Sequence, residues 1–148
     1  MIVDRVADVM RTPAEVTQQL RAHGRKVTPQ REAVVRALAG NDSHPTAEAV
    51  HAAVIAEMPS VSLRTVYQVL NDLAEMGELQ ALELGTGAAR FDPNGDPHHH
   101  LVCTSCGKVR DLYASFGQVR VPSGAEQGFA VERAEVVFRG RCESCRTP

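Results

Sequence analysis

Tryptophan is absent from this 148-residue chain, and two tyrosines and four phenylalanines are all the large aromatic side chains it carries. A core must therefore be packed from Val, Leu and Ala, and a hydrophobic share of 43% is enough to build one, which excludes a disordered chain. No apolar run is long enough to span a bilayer, so no membrane partner is expected. The opening Met1-Ile2-Val3-Asp4-Arg5 places charges too early for the apolar centre of a signal peptide, and the expectation is a cytoplasmic protein. Neither sign of charge dominates: a net charge of −2 argues neither for nor against a nucleic-acid partner. One local excess stands out, with Arg21, Arg25, Lys26, Arg31 and Arg36 set against the single acid Glu32. Such a cluster suits phosphates, although solvated faces often carry charge runs with no partner at all.

What is there is concentrated in fourteen residues, His98 to Asp111. They hold three of the six histidines and two of the four cysteines. Soft thiolates and harder nitrogen and oxygen donors lie side by side, which suggests two metal sites with different roles. Cys103-x2-Cys106 and Cys142-x2-Cys145 each fit a tight turn, and two such turns close a tetrahedral four-sulfur cage suited to Zn2+. Two disulfides are the competing reading, which a reducing cytosol disfavours; a redox pair is the other. With no open coordination position, the cage holds the fold and does no chemistry. In an extended segment His98 and His100 point to one face and His99 to the other. Two imidazoles on one face want oxygen partners for Fe2+, Mn2+ or Zn2+. Asp92, Asp111 and, from another region, His44 are candidates, but spacing alone does not select them.

Upstream, Thr12-Pro13 and Thr28-Pro29 are helix starts, a capping hydroxyl followed by proline, with stops near Gly24 and Gly40. A third helix follows Pro45-Thr46, with Val50, Val54 and Met58 inward and Pro59 ending it. A fourth is capped by Ser62 and ends at Gly77; Val66, Val69, Leu70 and Leu73 form its apolar stripe. Its other stripe, Arg64, Tyr67, Gln68 and Asn71, supplies what a helix in a DNA major groove needs. It is equally what an ordinary solvated face looks like. A hairpin over Leu79 to Leu84 and Ala88 to Asp92, turning at Gly85-Thr86-Gly87, would complete a winged helix. Pro93-Asn94-Gly95-Asp96-Pro97 is turn-rich and is the best boundary. Leu101-Val102, Val109 to Leu112, Phe129 to Val131 and Glu135 to Phe138 read as short strands, while Ala114 to Gln127 is a poor helix.

Six motifs in order then give the chain a likeness. They are Lys26-Val27-Thr28-Pro29-Gln30-Arg31, His44-Pro45-Thr46-Ala47, Ser62-x-x-Thr65-Val66-Tyr67, Arg90-Phe91-Asp92, the His98-to-Asp111 stretch and Gly140-x-Cys142-x-x-Cys145. Over about residues 13 to 146 the sequence resembles the ferric-uptake-regulator family of metal-dependent repressors. The resemblance implies an α+β protein, with a winged-helix DNA-binding domain over 1–92, a hinge over 93–97 and an α/β dimerisation domain over 98–148. It implies a homodimer on a palindromic double-stranded DNA operator, a structural zinc on the four cysteines, and no small organic substrate. DNA contacts would fall to Lys26, Gln30, Arg31, Ser62 and Thr65 beside Arg64, Tyr67, Gln68 and Asn71. A regulatory Fe2+ or Mn2+, which Zn2+ can replace in vitro, would be held by His44, Asp92, His98, His100 and Asp111.

Iron-sensing members usually place Glu where this chain has Asp92 and Asp111; peroxide-sensing members resemble it with Asp at both. The resemblance thus implies a repressor sensing peroxide through bound Fe2+, with oxygen added to His44 or His98, and an iron-responsive repressor as the alternative. A zinc-sensing member would want a further Cys before the histidines, which this chain lacks, and Pro97 and Ala134 stand where iron-sensing members have additional ligands. The stretch Ala114–Gln127 departs from the common pattern and looks like an actinobacterial, catalase-linked subgroup. A metallohydrolase is the competing class, but no HExxH or comparable element is present. A zinc-ribbon interaction module is the third, and it would need neither Arg64 nor Tyr67.

Overall fold

The computed structural model describes residues 11–41, 43–85, 87–93, 98–117 and 119–146. Residues 1–10, Thr86 of the expected turn, most of the expected hinge (94–97, including Pro97) and 147–148 lie outside the described residues. The chain divides into two units between residues 95 and 96.

Four helices open the first unit: α1 (Pro13–Ala22), α2 (Pro29–Leu38), α3 (Ala47–Glu57) and α4 (Leu63–Glu75). A hydroxyl caps each one where expected. Thr12 accepts from the Glu15 backbone N–H at 3.3 Å while the Glu15 carboxylate accepts from Thr12 N–H at 2.8 Å, a complete capping box. Thr28, Thr46 and Ser62 accept from the backbone three residues on at 3.1–3.2 Å. Each such cap is worth about 1 kcal/mol. Gly24, Gly40 and Gly77 take the left-handed backbone that ends three of these helices.

The apolar stripes meet in one core. Val16 and Leu20 of α1, Val34, Val35 and Leu38 of α2, Val50 and Val54 of α3, and Val66, Val69, Leu70 and Leu73 of α4 are all buried. Burying each stabilises by about 1.5–3 kcal/mol relative to leaving it in water. A hairpin closes the unit: β1 (Gln80–Leu82) pairs antiparallel with β2 (Arg90–Asp92). Both arms are shorter than the sequence suggests, and Phe91 on the second plugs the helical core. Helices followed by this small wing make the winged helix of an α+β protein.

The second unit is a three-stranded sheet in the order β4-β3-β5, with β3 (His99–Cys103) central, β4 (Val109–Leu112) antiparallel to it and β5 (Val137–Gly140) parallel. A single-turn helix, α5 (Glu143–Arg146), follows. Two expectations need correction. Phe129 to Val131 is not a strand: among the described residues nothing pairs with it, and Phe129 is 75% exposed. Apolar character marks a strand only where a partner edge exists. The strand expected over Glu135 to Phe138 lies two residues later, because its register sets Gly140 opposite Cys103 and His100 opposite Val137. Among the described residues of Ala114–Gln127 no helix forms, and Gly117 and Gly124 have positive φ.

Candidate metal centres and nucleic-acid face

In the second unit β3 and β4 sort the three histidines. His98, one residue before β3, and His100 are buried on one side, and the register sets His100 directly across from Asp111. His98 Nε2 lies 2.8 Å and His100 Nε2 3.6 Å from the same oxygen, Asp111 Oδ1. The two imidazole centroids are 4.6 Å apart. His99 faces the other way, where its Nδ1 accepts from the Val136 N–H at 2.8 Å and its ring meets Phe116 edge-on. Strand alternation thus separates two ligand-type histidines from one that fastens the sheet. Tyr113, which the sequence did not mark out, stacks on His98 with centroids 5.3 Å apart. Nitrogen and carboxylate donors in a buried setting suit Fe2+, Mn2+ or Zn2+.

The first unit carries a matching pair. His44 and Asp92 are both about 1% exposed, and His44 Nε2 sits 3.2 Å from Asp92 Oδ2. The loop before α3 is latched to β2 to hold them: Phe91 N–H donates to the Pro45 carbonyl at 2.9 Å, and Arg90 donates to the His44 carbonyl at 3.1 Å. His44 has φ +53°, the left-handed region that a side chain and a following proline both disfavour. Backbone strain of this kind persists where surrounding contacts impose it. Arg90, the strut, stands beside Asp92 in its motif, which is the one signal that could have found it.

Cys103, Cys106, Cys142 and Cys145 are unbridged thiols whose sulfurs lie within 4.8 Å of one another. Gly107, with φ +75°, turns the chain after the first pair, and α5 carries Cys145. The Cys106 and Cys142 sulfurs are 3.7 Å apart. Four thiolates about 2.3 Å from a central zinc stand roughly 3.8 Å from each other, so the cluster fits that ion. The backbone N–H of Cys106 and then that of Cys142 point at Cys103 Sγ, at 3.5 and 3.3 Å, and lower its pKa to about 6. Cys145 is pushed up to about 12 by its thiol neighbours, Cys142 foremost. Proximity without a cation thus keeps one sulfur protonated, a conflict that a divalent metal removes.

The candidate DNA contacts gather in the first unit. Lys26, Gln30, Arg31, Ser62, Thr65 and Gln68 line one groove of about 580 Å³ between the start of α2 and α4, while Arg64, Tyr67 and Asn71 stand on the exposed face of α4. The local basic excess is largely consumed inside the fold. Arg25 pairs with Asp72 at 2.7 Å and Glu75 at 2.9 Å, and Arg36 with Glu57. Arg31 pairs with Asp72 at 3.1 Å and donates to the Lys26 carbonyl at 2.5 Å. Arg31 therefore fastens α2 to α4 in this structure. Tyr67 donates its hydroxyl to Glu48 of α3 at 3.1 Å, a bond that raises the phenol pKa above its ordinary value.

A family model described as the ferric uptake regulator family matches residues 22–139. The peroxide-responsive repressor PerR of Staphylococcus epidermidis is 32% identical over 133 residues, covering 89% of each chain. Among solved structures, the Helicobacter pylori ferric uptake regulator, described as having three functional metal binding sites, superposes with a TM-score of 0.73 over 95% of this chain and 98% of that one. At 19% identity it speaks to the fold alone. The manganese-containing ferric uptake regulator of Pseudomonas aeruginosa is 28% identical, with a TM-score of 0.62 over 86% of this chain and 97% of that one.

Proposed function

The chain belongs to the ferric uptake regulator family, and from that premise we propose that it represses transcription by binding an operator as a metal-loaded homodimer and releases it on peroxide. The family's members are transcriptional regulators, not enzymes. The observation that carries the reading is the convergence of buried His98 and His100 on one Asp111 oxygen. His44 and Asp92 supply a second buried nitrogen and oxygen pair of the same character. His44, Asp92, His98, His100 and Asp111 would be the ligands of a regulatory Fe2+ or Mn2+, and the four cysteines would hold a structural zinc.

The work of the residues follows from their placement in the chain. His44 and Asp92 belong to the winged helix, and His98, His100 and Asp111 to the sheet unit. A joint hold on a single ion would restrict how the two units can turn against each other. In a dimer that restriction sets the separation of two α4 helices, which must match half-sites one turn of DNA, roughly 34 Å, or a multiple apart. Lys26, Gln30, Ser62 and Thr65 meet phosphates, while Arg64, Tyr67, Gln68 and Asn71 reach base edges of a palindromic operator. With Fe2+ bound there, peroxide would oxidise a ligating imidazole by two electrons, one peroxide oxygen ending on the ring and the other leaving as water. An oxidised His44 or His98 is a poorer ligand, so the restriction is lost and the operator is released. Aspartate at both 92 and 111, and the likeness to a peroxide-responsive repressor, favour this over an iron-responsive repressor. A cytoplasmic location suits four reduced thiols.

The test is DNA binding by the full chain with Fe2+, Mn2+ or chelator, before and after peroxide, with peptide mass spectrometry of the iron form. Metal-dependent binding lost together with the gain of one oxygen on His44 or His98 is expected. Binding that follows iron but ignores peroxide would establish the iron-responsive alternative.

A further inference from the structure

Glu48 is an acid on a surface read as DNA-facing, where phosphate contact penalises it. Nothing in the metal chemistry uses it. It occupies the first turn of α3, is exposed, and accepts a hydrogen bond from the Tyr67 hydroxyl at 3.1 Å. Tyr67 itself lies 37% exposed on α4, outside the buried stripe that Val66, Val69 and Leu70 form.

A lone phenol on a helix surface samples several rotamers, and a ring that must meet one base loses that freedom on binding. A carboxylate acceptor held by a different helix removes it beforehand. α3 and α4 are packed through Val50, Val54, Val66 and Leu70 of one core, so the acceptor is fixed relative to the ring's own backbone. The same charge repels phosphates, which weakens binding to any sequence alike. Selectivity then comes from the oriented ring, which strengthens the correct site alone, while the carboxylate lowers the affinity from which every sequence starts.

We infer that Glu48 is a specificity-determining positioning residue, which aims Tyr67 at a base edge and discourages DNA that Tyr67 does not fit. This rests on the repressor reading above, so the test begins with the wild type. Manganese-loaded wild-type protein selects duplexes from a randomised pool; failure to enrich any motif would sink the repressor reading itself and, with it, this inference. With a motif in hand, the same duplex and a scrambled one are titrated against E48A, E48Q, Y67F and the E48A/Y67F pair, each checked for an unchanged melting transition.

For E48A the expected result is a ~5- to 10-fold loss of affinity for the selected duplex, the scale of one ordinary net hydrogen bond, alongside tighter binding of the scrambled one. E48Q keeps an acceptor without the charge. It retains most of the selected-site affinity yet also binds scrambled DNA more tightly. On the Y67F background, E48A costs the selected duplex nothing further. An E48A protein that discriminates as the wild type does overturns the inference. So does an equal E48A loss with and without the Tyr67 hydroxyl, since Glu48 would then act without it.

Discussion

His98 Nε2 stands 2.8 Å from Asp111 Oδ1, and cross-strand register brings His100 to the same oxygen. Without metal, His98 lies at hydrogen-bond distance from Asp111 with His100 just beyond it, and all three are placed to act as ligands. Asp111→Asn keeps the shape and removes the charge. Manganese affinity is expected to fall at least about tenfold, the low end of what is lost when a partner outside the ligand set is removed. The melting temperature of protein carrying only zinc should move by a few degrees at most. Calorimetric titration checks the first and thermal unfolding the second; unchanged manganese binding would remove Asp111 from the ligand set.

The left-handed backbone at His44 makes a separate and unusual prediction. At most positions alanine is more stable than glycine, since glycine loses more freedom on folding. At φ +53° a Cβ costs about 1–2 kcal/mol, so the order should invert. His44→Gly is expected to be more stable than His44→Ala by about 0.5–1 kcal/mol after the entropy of glycine is subtracted. Both lose the same buried imidazole, so the comparison cancels the cavity and the stranded Asp92. Urea unfolding of the two metal-free variants decides it; alanine as the more stable of the pair would mean that the loop relaxes.

Cys142→Ser breaks a cage whose other three sulfurs cannot complete a tetrahedron. Binding free energy of a structural zinc is folding free energy, about 10–16 kcal/mol in small zinc domains. The variant should lose its zinc, read by native mass spectrometry, and the sheet unit should lose its cooperative transition. Helical circular dichroism should largely survive. Among the described residues, every member of the helical core belongs to the first unit, Phe91 being the last along the chain. Full retention of zinc, or simultaneous collapse of the helices, would contradict the assignment.

The helices were legible because each is written in a short window. A hydroxyl followed by proline, or an Ser62 three residues before Thr65, caps a helix through atoms a few residues apart. A stripe such as Val66, Val69, Leu70, Leu73 needs only the pitch of the helix it belongs to. The cysteine pairs announce themselves in the same way, since two thiols two residues apart already share a turn. Alternation along an extended segment even separated His99 from His98 and His100.

Long-range choices were not written locally. That Asp111 is opposite His100, and that Val137–Gly140 pairs while Phe129 to Val131, among the described residues, does not, depend on which strand edges meet. Arg25 and Arg31 read as phosphate ligands by count, yet Asp72, some forty residues further on, neutralises them. Glu48 and Tyr67 stand nineteen residues apart and touch only because α3 and α4 share a core. The sequence alone determined which residues are helical, apolar or able to ligate, since those properties reside in single side chains and their nearest neighbours. Tertiary structure decided which of the charged and ligating groups face one another, because that is settled by packing between segments whose separation along the chain carries no geometric information.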